Sequence, residues 1–119
     1  MAGNILQGEE VSNIPFATSP HPMWIYDLAT LAFLKVNRAA VLTYGFSEEE
    51  FLRSSVLDIR PAADVQRFLK SAKQLHTTTG ERWWHVGKNG NPFPVSITTW
   101  PLTFQGREAE LVLARRDSE

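Results

Sequence analysis

Two long runs of strand-forming residues flank the dipeptide Asn89-Gly90, and no other feature constrains the fold of this chain as strongly. The first run covers residues 81–88 and the second covers residues 93–104. Asn and Gly both tolerate a positive φ angle, so the dipeptide permits the tight reversal that joins two antiparallel strands. The sequence therefore predicts a long antiparallel hairpin in the second half of the chain.

Three further segments have the composition of β-strands. Gln105-Gly106 offers a second reversal, and residues 108–114 follow it as another strand. Near the N-terminus, residues 23–28 and 31–36 are rich in aromatic and branched side chains and indicate a second hairpin. Two strands, several helices and then three strands predict an α+β fold, in which helices cover one face of an antiparallel sheet.

The signals for helix starts lie between residues 37 and 51. Asn37 follows the second strand, and its side-chain oxygen is expected to cap a helix. Ser47 and Glu50 have the spacing of a capping box, and Phe46 and Phe51 have the spacing of a hydrophobic staple. These patterns predict two short helices, of which the second begins at residue 47.

A longer helix is predicted after Arg60. Pro61 suits the first position of a helix, because its missing N–H would have no partner there. Apolar residues then recur with helical spacing. They are Val65, Phe68, Leu69, Ala72 and Leu75.

The composition excludes several classes of function. The 119 residues carry 12 Lys and Arg against 13 Asp and Glu, and this net charge of −1 argues against a nucleic-acid interface. The chain has no cysteine, which rules out disulfides and cysteine-ligated metals. It also has no apolar run long enough to cross a bilayer and no recognisable leader, so we expect a cytoplasmic domain without membrane insertion.

The three histidines are the side chains that titrate nearest neutral pH. His21, His76 and His85 lack the spacing of a metal-binding motif, so no metal site is predicted. An alternative function is a small α+β enzyme or carrier that uses His85 with a nearby carboxylate for acid–base chemistry. Mutation of His85 would separate this alternative from a binding module.

The faces of two strands raise the question of what covers the sheet. Alternation places Trp83 and Trp84 on opposite faces, so one of them is expected to leave the core and to contact a covering segment or another chain. The strand at residues 108–114 is apolar on both faces. Its outer face needs a cover, and the candidates are the segment around Ile14 and Phe16 or a second copy of the domain.

The chain resembles a PAS domain, a sensory module of bacterial signalling proteins. The segments that carry the resemblance are residues 19–27, 36–40, 44–51, 58–61 and 88–90. The resemblance divides the chain into a flexible lead-in at residues 1–13, a PAS domain at 14–117 and the start of a linker to an absent output domain at 118–119. It implies a five-stranded antiparallel sheet of order 2-1-5-4-3, with short helices and one longer helix over one face.

The resemblance also implies a function. Members of the family sense small molecules in a cavity under the helices, or dimerise and relay a signal to a fused histidine kinase or cyclic-dinucleotide output domain. A lone PAS domain has no catalysis of its own. For this chain we therefore expect a sensor in a two-component or related system, with a homodimer formed through the outer sheet face and the N-terminal lead-in.

No cofactor is predicted. The flavin photosensors of the family form an adduct with a cysteine, which this chain lacks. The haem branch places a histidine near the middle of the long helix, where this sequence has Phe68 and Leu69, and His76 comes too late to replace it.

The cavity is expected to be lined by apolar residues alone. The ten candidates, taken from strand alternation and from the helix stripe, are Ile25, Val36, Ile59, Phe68, Leu69, Ala72, Val95, Ile97, Leu111 and Leu113. Such walls predict a small, largely apolar ligand with few polar anchors, because an unsatisfied polar group is costly to bury. The same residues also fit a filled core without a ligand.

Overall fold

The computed structural model describes residues 15–72 and 78–117, which contain five strands and three α-helices. The strands are β1 (Met23–Asp27), β2 (Phe33–Val36), β3 (Thr78–Val86), β4 (Pro92–Phe104) and β5 (Arg107–Arg116). The helices are α1 (Arg38–Tyr44), α2 (Glu48–Leu52) and α3 (Val65–Ala72), with 3-10 turns at Val56–Ile59 and Ala62–Asp64. The predictions made for residues 1–13, Ile14, Leu75, His76 and 118–119 lie outside the described residues.

The five strands form one antiparallel sheet in the order β2-β1-β5-β4-β3. This is the strand order that the resemblance implied, and the α+β prediction is confirmed. β1 and β5 lie side by side in the middle of the sheet, with Trp24 opposite Val112 and Ile25 opposite Leu111. Among the described residues, no helix is long and apolar enough to span a bilayer.

Both predicted reversals are present. Gly90 has a φ angle of 80° in the connection between β3 and β4. Between β4 and β5, Gln105 and Gly106 have φ angles of 51° and 77°, which suits a two-residue loop closing an antiparallel pair. Phe104 and Arg107 face each other directly across this loop.

The predicted start of α2 is confirmed. The N–H of Glu50 donates to the Ser47 hydroxyl oxygen at 3.1 Å, and the N–H of Ser47 donates to the Glu50 carboxylate at 2.9 Å. The rings of Phe46 and Phe51 pack edge to face with centroids 5.4 Å apart, which completes the hydrophobic staple. The start of α2 is thus fixed by contacts within six neighbouring residues.

α3 begins later than the sequence indicated. Pro61 precedes a 3-10 turn at Ala62–Asp64, and the α-helix starts at Val65. The N–H of Asp64 donates to the Pro61 carbonyl three residues earlier, which is the 3-10 pattern. Pro61 therefore precedes the helical segment as its cap rather than occupying the first helical position, and a 3-10 turn comes before α3.

Apolar side chains form one cluster on each face of the sheet. We call the cluster between the sheet and the helices the inner cluster; it consists of Trp24, Tyr26, Phe33, Val36, Ala40, Tyr44, Phe51, Val56, Ile59, Phe68, Trp83, Phe93, Val95, Ile97, Val112 and Ala114. The outer cluster lies on the opposite face and consists of Phe16, Met23, Ile25, Leu102, Phe104, Ala109 and Leu111, with Leu34, Trp100 and Leu113 packed against it. The sheet is therefore apolar on both faces.

Candidate functional site

Only half of the ten predicted cavity residues lie in the inner cluster. Those five are Val36, Ile59, Phe68, Val95 and Ile97. Leu69 is half-buried and belongs to neither cluster, and the side chain of Ala72 lies outside the part of the chain that the structure describes. Whether these residues contact a ligand stays a prediction.

Three of the predicted residues were placed on the wrong face. Ile25, Leu111 and Leu113 belong to the outer cluster or pack against it. A shift of one residue in the alternation moves every side chain of a strand to the other face, and β1 and β5 are apolar in both phases. In the structure, Trp24 and Val112 face the interior instead.

The alternation of β3 brings a histidine into the interior. Trp83 is 4% exposed and faces inward, whereas Trp84 is 47% exposed, which confirms the prediction that the two indoles point to opposite faces. His85 lies two residues after Trp83, so it faces the same side of the sheet, and it is fully buried. The inner face of β3 therefore combines an aromatic ring with a titratable one.

Helix α1 delivers the hydrogen-bond partner of this histidine. α1 begins at its cap Asn37 and ends at Tyr44, after which Gly45 takes a φ angle of 84°. The Tyr44 carbonyl accepts a hydrogen bond from the Lys88 N–H at 2.8 Å, which ties the end of α1 to the end of β3. The Tyr44 hydroxyl then lies 2.6 Å from Nδ1 of His85.

The environment of His85 keeps its ring neutral. Burial lowers the pKa of His85 well below its usual value, and the positive charge of Arg60 lowers it further. Nε2 is buried and has no hydrogen-bond partner among the described residues. The partner of Nδ1 is a tyrosine rather than the carboxylate that the enzyme alternative required.

Arg60 reaches the interior from the segment before α3. Its guanidinium lies over the ring of Phe68, 3.8 Å from the centroid, and 4.8 Å from the centroid of Trp83. Nε and Nη1 are buried and find no acceptor within residues 15–72 and 78–117. Burial lowers the pKa of Arg60 to about 10, so the group still carries its charge at neutral pH.

A second tyrosine lies on the same side of the sheet. Tyr26 on β1 faces Glu110 on β5, and its hydroxyl donates to the Glu110 carboxylate at 2.6 Å. Burial raises the pKa of Tyr26, and the negative charge of Glu110 raises it further, so the hydroxyl keeps its proton. The rings of Tyr26 and Phe68 lie 6.2 Å apart, which joins this pair to the surroundings of Arg60.

The interior therefore contains polar side chains beside the apolar ones. The polar side chains missing from the ten cavity candidates are Tyr26, Tyr44, Arg60, His85 and Glu110, of which His85 was named only for the enzyme alternative. One signal was present, since counting two residues along from Trp83 places His85 on the same face. The site is a set of aromatic rings that encloses one cation and one neutral imidazole.

The comparisons with known proteins identify the family. A sequence profile described as PAS domain matches residues 20–117. The chain belongs to the PAS domain family. A comparison with curated protein sequences gives no match. The family is one of sensory domains in signalling proteins, which agrees with the resemblance seen in the sequence.

Solved structures of PAS domains share the fold. The PAS domain of a two-component sensor histidine kinase is 19% identical with a TM-score of 0.76, over 92% of this chain and 96% of that one. The PAS domain of an HTR-like protein from Haloarcula marismortui is 21% identical with a TM-score of 0.70, over 92% and 93%. A domain of a sensory box sensor histidine kinase/response regulator from Geobacter sulfurreducens is 18% identical with a TM-score of 0.73, over 90% and 92%. At these identities the likeness establishes the fold.

Proposed function

We propose that this PAS domain is the sensory and relay module of a bacterial signal-transduction protein. In this proposal it acts in the cytoplasm, binds a small and largely apolar ligand, dimerises, and regulates a fused histidine kinase or cyclic-dinucleotide output domain. Membership of the PAS family supports the sensory function. The observation that carries the proposal is that β1 and β5 each contribute side chains to both the inner and the outer cluster.

The shared strands provide a route from the interior to the outer face. Trp24 and Val112 face each other on the inner side, and the next residues, Ile25 and Leu111, face each other on the outer side. Because interiors are closely packed, a shift of the inner pair is transmitted to the outer pair through the same two backbones. A change of occupancy inside would therefore alter the packing outside.

A second copy of the domain is the proposed occupant of the outer face. Among the described residues, Phe16 is the one member of the outer cluster that comes from outside the sheet. Leu34, Trp100 and Leu113 remain only partly buried around it. The members of the outer cluster are themselves buried in the single chain, so the proposed contact would use these three partly buried side chains, and a second copy would complete their burial.

Asn37 connects the segment before β1 to the helical layer. Its Nδ2 donates to the carbonyls of Phe16 and His21 at 2.9 and 3.0 Å. Its Oδ1 accepts from the N–H of Met23 and from the N–H of Ala40 in the first turn of α1. The cover of the outer face is thus held by the residue that caps an inner helix, which gives the relay a second route.

Native mass spectrometry of the purified domain tests both parts of the proposal in one spectrum. We expect a dimer and additional mass on the 13.4 kDa chain that disappears on denaturation. A dimer without additional mass would contradict ligand sensing but would remain consistent with signal relay through an interface between copies. A monomer at all concentrations would contradict the relay through an interface between copies.

Two matched variants locate the interface. Leu113→Glu places a charge at the outer cluster, whereas Leu42→Glu places the same charge on α1 at a residue that is 67% exposed. Sedimentation should show weaker association for Leu113→Glu and wild-type association for Leu42→Glu, with circular dichroism confirming that both are folded. Equal association of the two variants would exclude the outer face as the interface.

Trp84→Ala adds a variant that leaves the core intact. The indole is 47% exposed, so its removal should change the fold little. If Trp84 belongs to the contact between copies, self-association should weaken by about 1 kcal/mol or more, which is the scale of an interface hot spot. Unchanged sedimentation would place Trp84 outside the interface.

A further inference from the structure

The guanidinium of Arg60 has two buried donors without an acceptor in the described part of the chain. They are Nε and Nη1. None of the ion pairs within residues 15–72 and 78–117 includes Arg60. A buried charge is strongly unfavourable unless it is paired and hydrogen-bonded. The aromatic rings beside Arg60 supply attraction to the cation but no acceptor for its N–H groups.

His85 contributes a third donor to the same interior. We assign the Tyr44 hydroxyl as the donor to Nδ1 of His85, because the opposite tautomer would leave the hydroxyl proton as well as Nε2 without a partner among the described residues. The ring proton then lies on Nε2. Nε2 is buried and unpartnered. All three unpartnered atoms are therefore donors, and the matching ligand group is one that only accepts hydrogen bonds, as a carboxylate does.

The charges around Arg60 limit the ligand to a single negative charge. The guanidinium carries one positive charge, and carboxylates stand nearby on Asp64 and, next to Tyr26, on Glu110. A dianion such as phosphate would leave surplus negative charge in a desolvated interior. A monoanion adds less negative charge than a dianion and still supplies acceptors for the guanidinium donors.

The rings around the donors define the rest of the ligand. Phe68 and Trp83 flank the guanidinium, and their centroids lie 6.2 Å apart in an edge-to-face arrangement. Trp24 packs beside His85 with ring centroids 5.9 Å apart. Walls of this kind accept a flat apolar body, because aromatic rings combine a large apolar area with defined stacking geometry.

We propose that the interior between Arg60 and His85 binds a small organic monocarboxylate with a flat apolar body. The carboxylate accepts hydrogen bonds from Arg60 and His85, and the body lies among the aromatic rings. This inference rests on the ligand-sensing function proposed above, and it adds a carboxylate to the largely apolar ligand proposed there.

Benzoate and benzamide are the matched probes, since they have nearly the same shape and differ in charge. By titration calorimetry, wild-type protein should bind benzoate at least about tenfold more tightly than benzamide, as expected for a charge-assisted contact. Arg60→Gln should lose this preference, and Arg60→Lys should keep part of it. Arg67→Gln is the control, because Arg67 also stacks on Trp83 but is an exposed residue.

A spectroscopic reading on the wild-type protein keeps the test independent of variant folding. The ¹⁵N NMR signal of the Arg60 Nε–H should move when benzoate is added and stay in place with benzamide. Equal binding of the two probes, or a benzoate preference that survives in Arg60→Gln, would overturn the anion inference and leave an apolar ligand site standing. Binding of neither probe would also overturn it, while dimerisation and relay are judged separately by sedimentation.

Discussion

The Tyr44 hydroxyl oxygen lies 2.6 Å from Nδ1 of His85, and this hydrogen bond joins the end of α1 to β3 inside the core. The bond fixes the orientation of the imidazole, since Nδ1 must face α1. Both rings also contact Trp24, with centroids 5.6 Å away for Tyr44 and 5.9 Å away for His85. Strands β1 and β3 and helix α1 are thereby coupled through one buried histidine that stays neutral.

The neutral state of His85 makes the stability of the protein depend on pH. The folded-state pKa of His85 is lowered by burial and by Arg60, so below about pH 6.5 the unfolded chain takes up a proton that the folded protein does not. The free energy of unfolding should therefore decrease as the pH is lowered below about 6.5, and His85 contributes at most about 1.4 kcal/mol per pH unit to this decrease. Urea unfolding between about pH 7 and pH 5 measures the slope.

His85→Gln is the comparison that isolates this contribution. The variant has no titrating group at residue 85, so its unfolding free energy should depend less steeply on pH over the same range. Parallel pH profiles for the variant and the wild-type protein would show that His85 is protonated equally in the folded and unfolded states.

Asn37→Ala should destabilise the domain more than the loss of an ordinary helix cap. The substitution removes the acceptor for Met23 and Ala40 and the donor to the carbonyls of Phe16 and His21. We expect a loss of about 2–4 kcal/mol in urea unfolding, because buried groups are left unpartnered in addition to the cap.

Two variants separate the contributions of Asn37. Asn37→Asp keeps the acceptor but directs a buried carboxylate oxygen at the carbonyls of Phe16 and His21, so it should cost at least as much as Asn37→Ala. Ser47→Ala removes an exposed cap alone and should cost about 1 kcal/mol. A cost for Asn37→Ala no larger than that of Ser47→Ala would show that the bonds to Phe16 and His21 do not stabilise the fold.

Gly87 is required by the close approach of β3 to α1. A Cβ atom at residue 87 would lie 2.5 Å from the Tyr44 carbonyl oxygen, which is held by its hydrogen bond from Lys88. Gly87→Ala should therefore reduce the free energy of unfolding by about 1–3 kcal/mol. Gly90→Ala is the control: a Cβ there meets no atom within 4 Å, although the φ of 80° adds strain of about 1 kcal/mol. Equal losses of unfolding free energy in Gly87→Ala and Gly90→Ala would mean that the backbone at residue 87 moves away from Tyr44 at little cost.

Local signals explain why so much of the fold could be predicted. The capping box of Ser47 and Glu50 and the turn at Asn89-Gly90 depend on residues a few positions apart, so the sequence alone specifies them. In β1 and β5 both sets of alternate side chains are apolar, so the sequence does not show which set faces the helices. Ile25 and Leu111 were misplaced for that reason.

The polar part of the site could not be derived in this way. Tyr26 and Glu110 are 84 residues apart, and their pairing follows from the sheet register rather than from any local motif. Arg60 lies outside the helices and strands, where no periodicity assigns a direction to its side chain. Side chains of this kind are placed by tertiary packing, which a single sequence does not reveal.

The pair formed by Asp27 and Arg107 gives the last prediction. One Asp27 oxygen accepts from Arg107 at 2.6 Å, and the other accepts from the N–H groups of Ala29 and Thr30. Burial alone would raise the pKa of Asp27, but these hydrogen bonds outweigh burial and lower it. The stabilisation is therefore complete above the unfolded-state pKa and is lost as the pH falls through the folded-state pKa.

Asp27→Asn keeps the acceptor for the turn and removes the charge that faces Arg107. At neutral pH it should cost about 1–2 kcal/mol, since Asp27 is buried while the exposed Arg107 is screened by water. Glu49→Gln breaks an ion pair with Arg53 in which both side chains are exposed, and it should cost less than about 0.5 kcal/mol. In urea unfolding at about pH 3, the difference in unfolding free energy between Asp27→Asn and the wild-type protein should be smaller than at neutral pH. A gap of constant size from neutral to acidic pH would show that the Asp27 charge does not stabilise the fold.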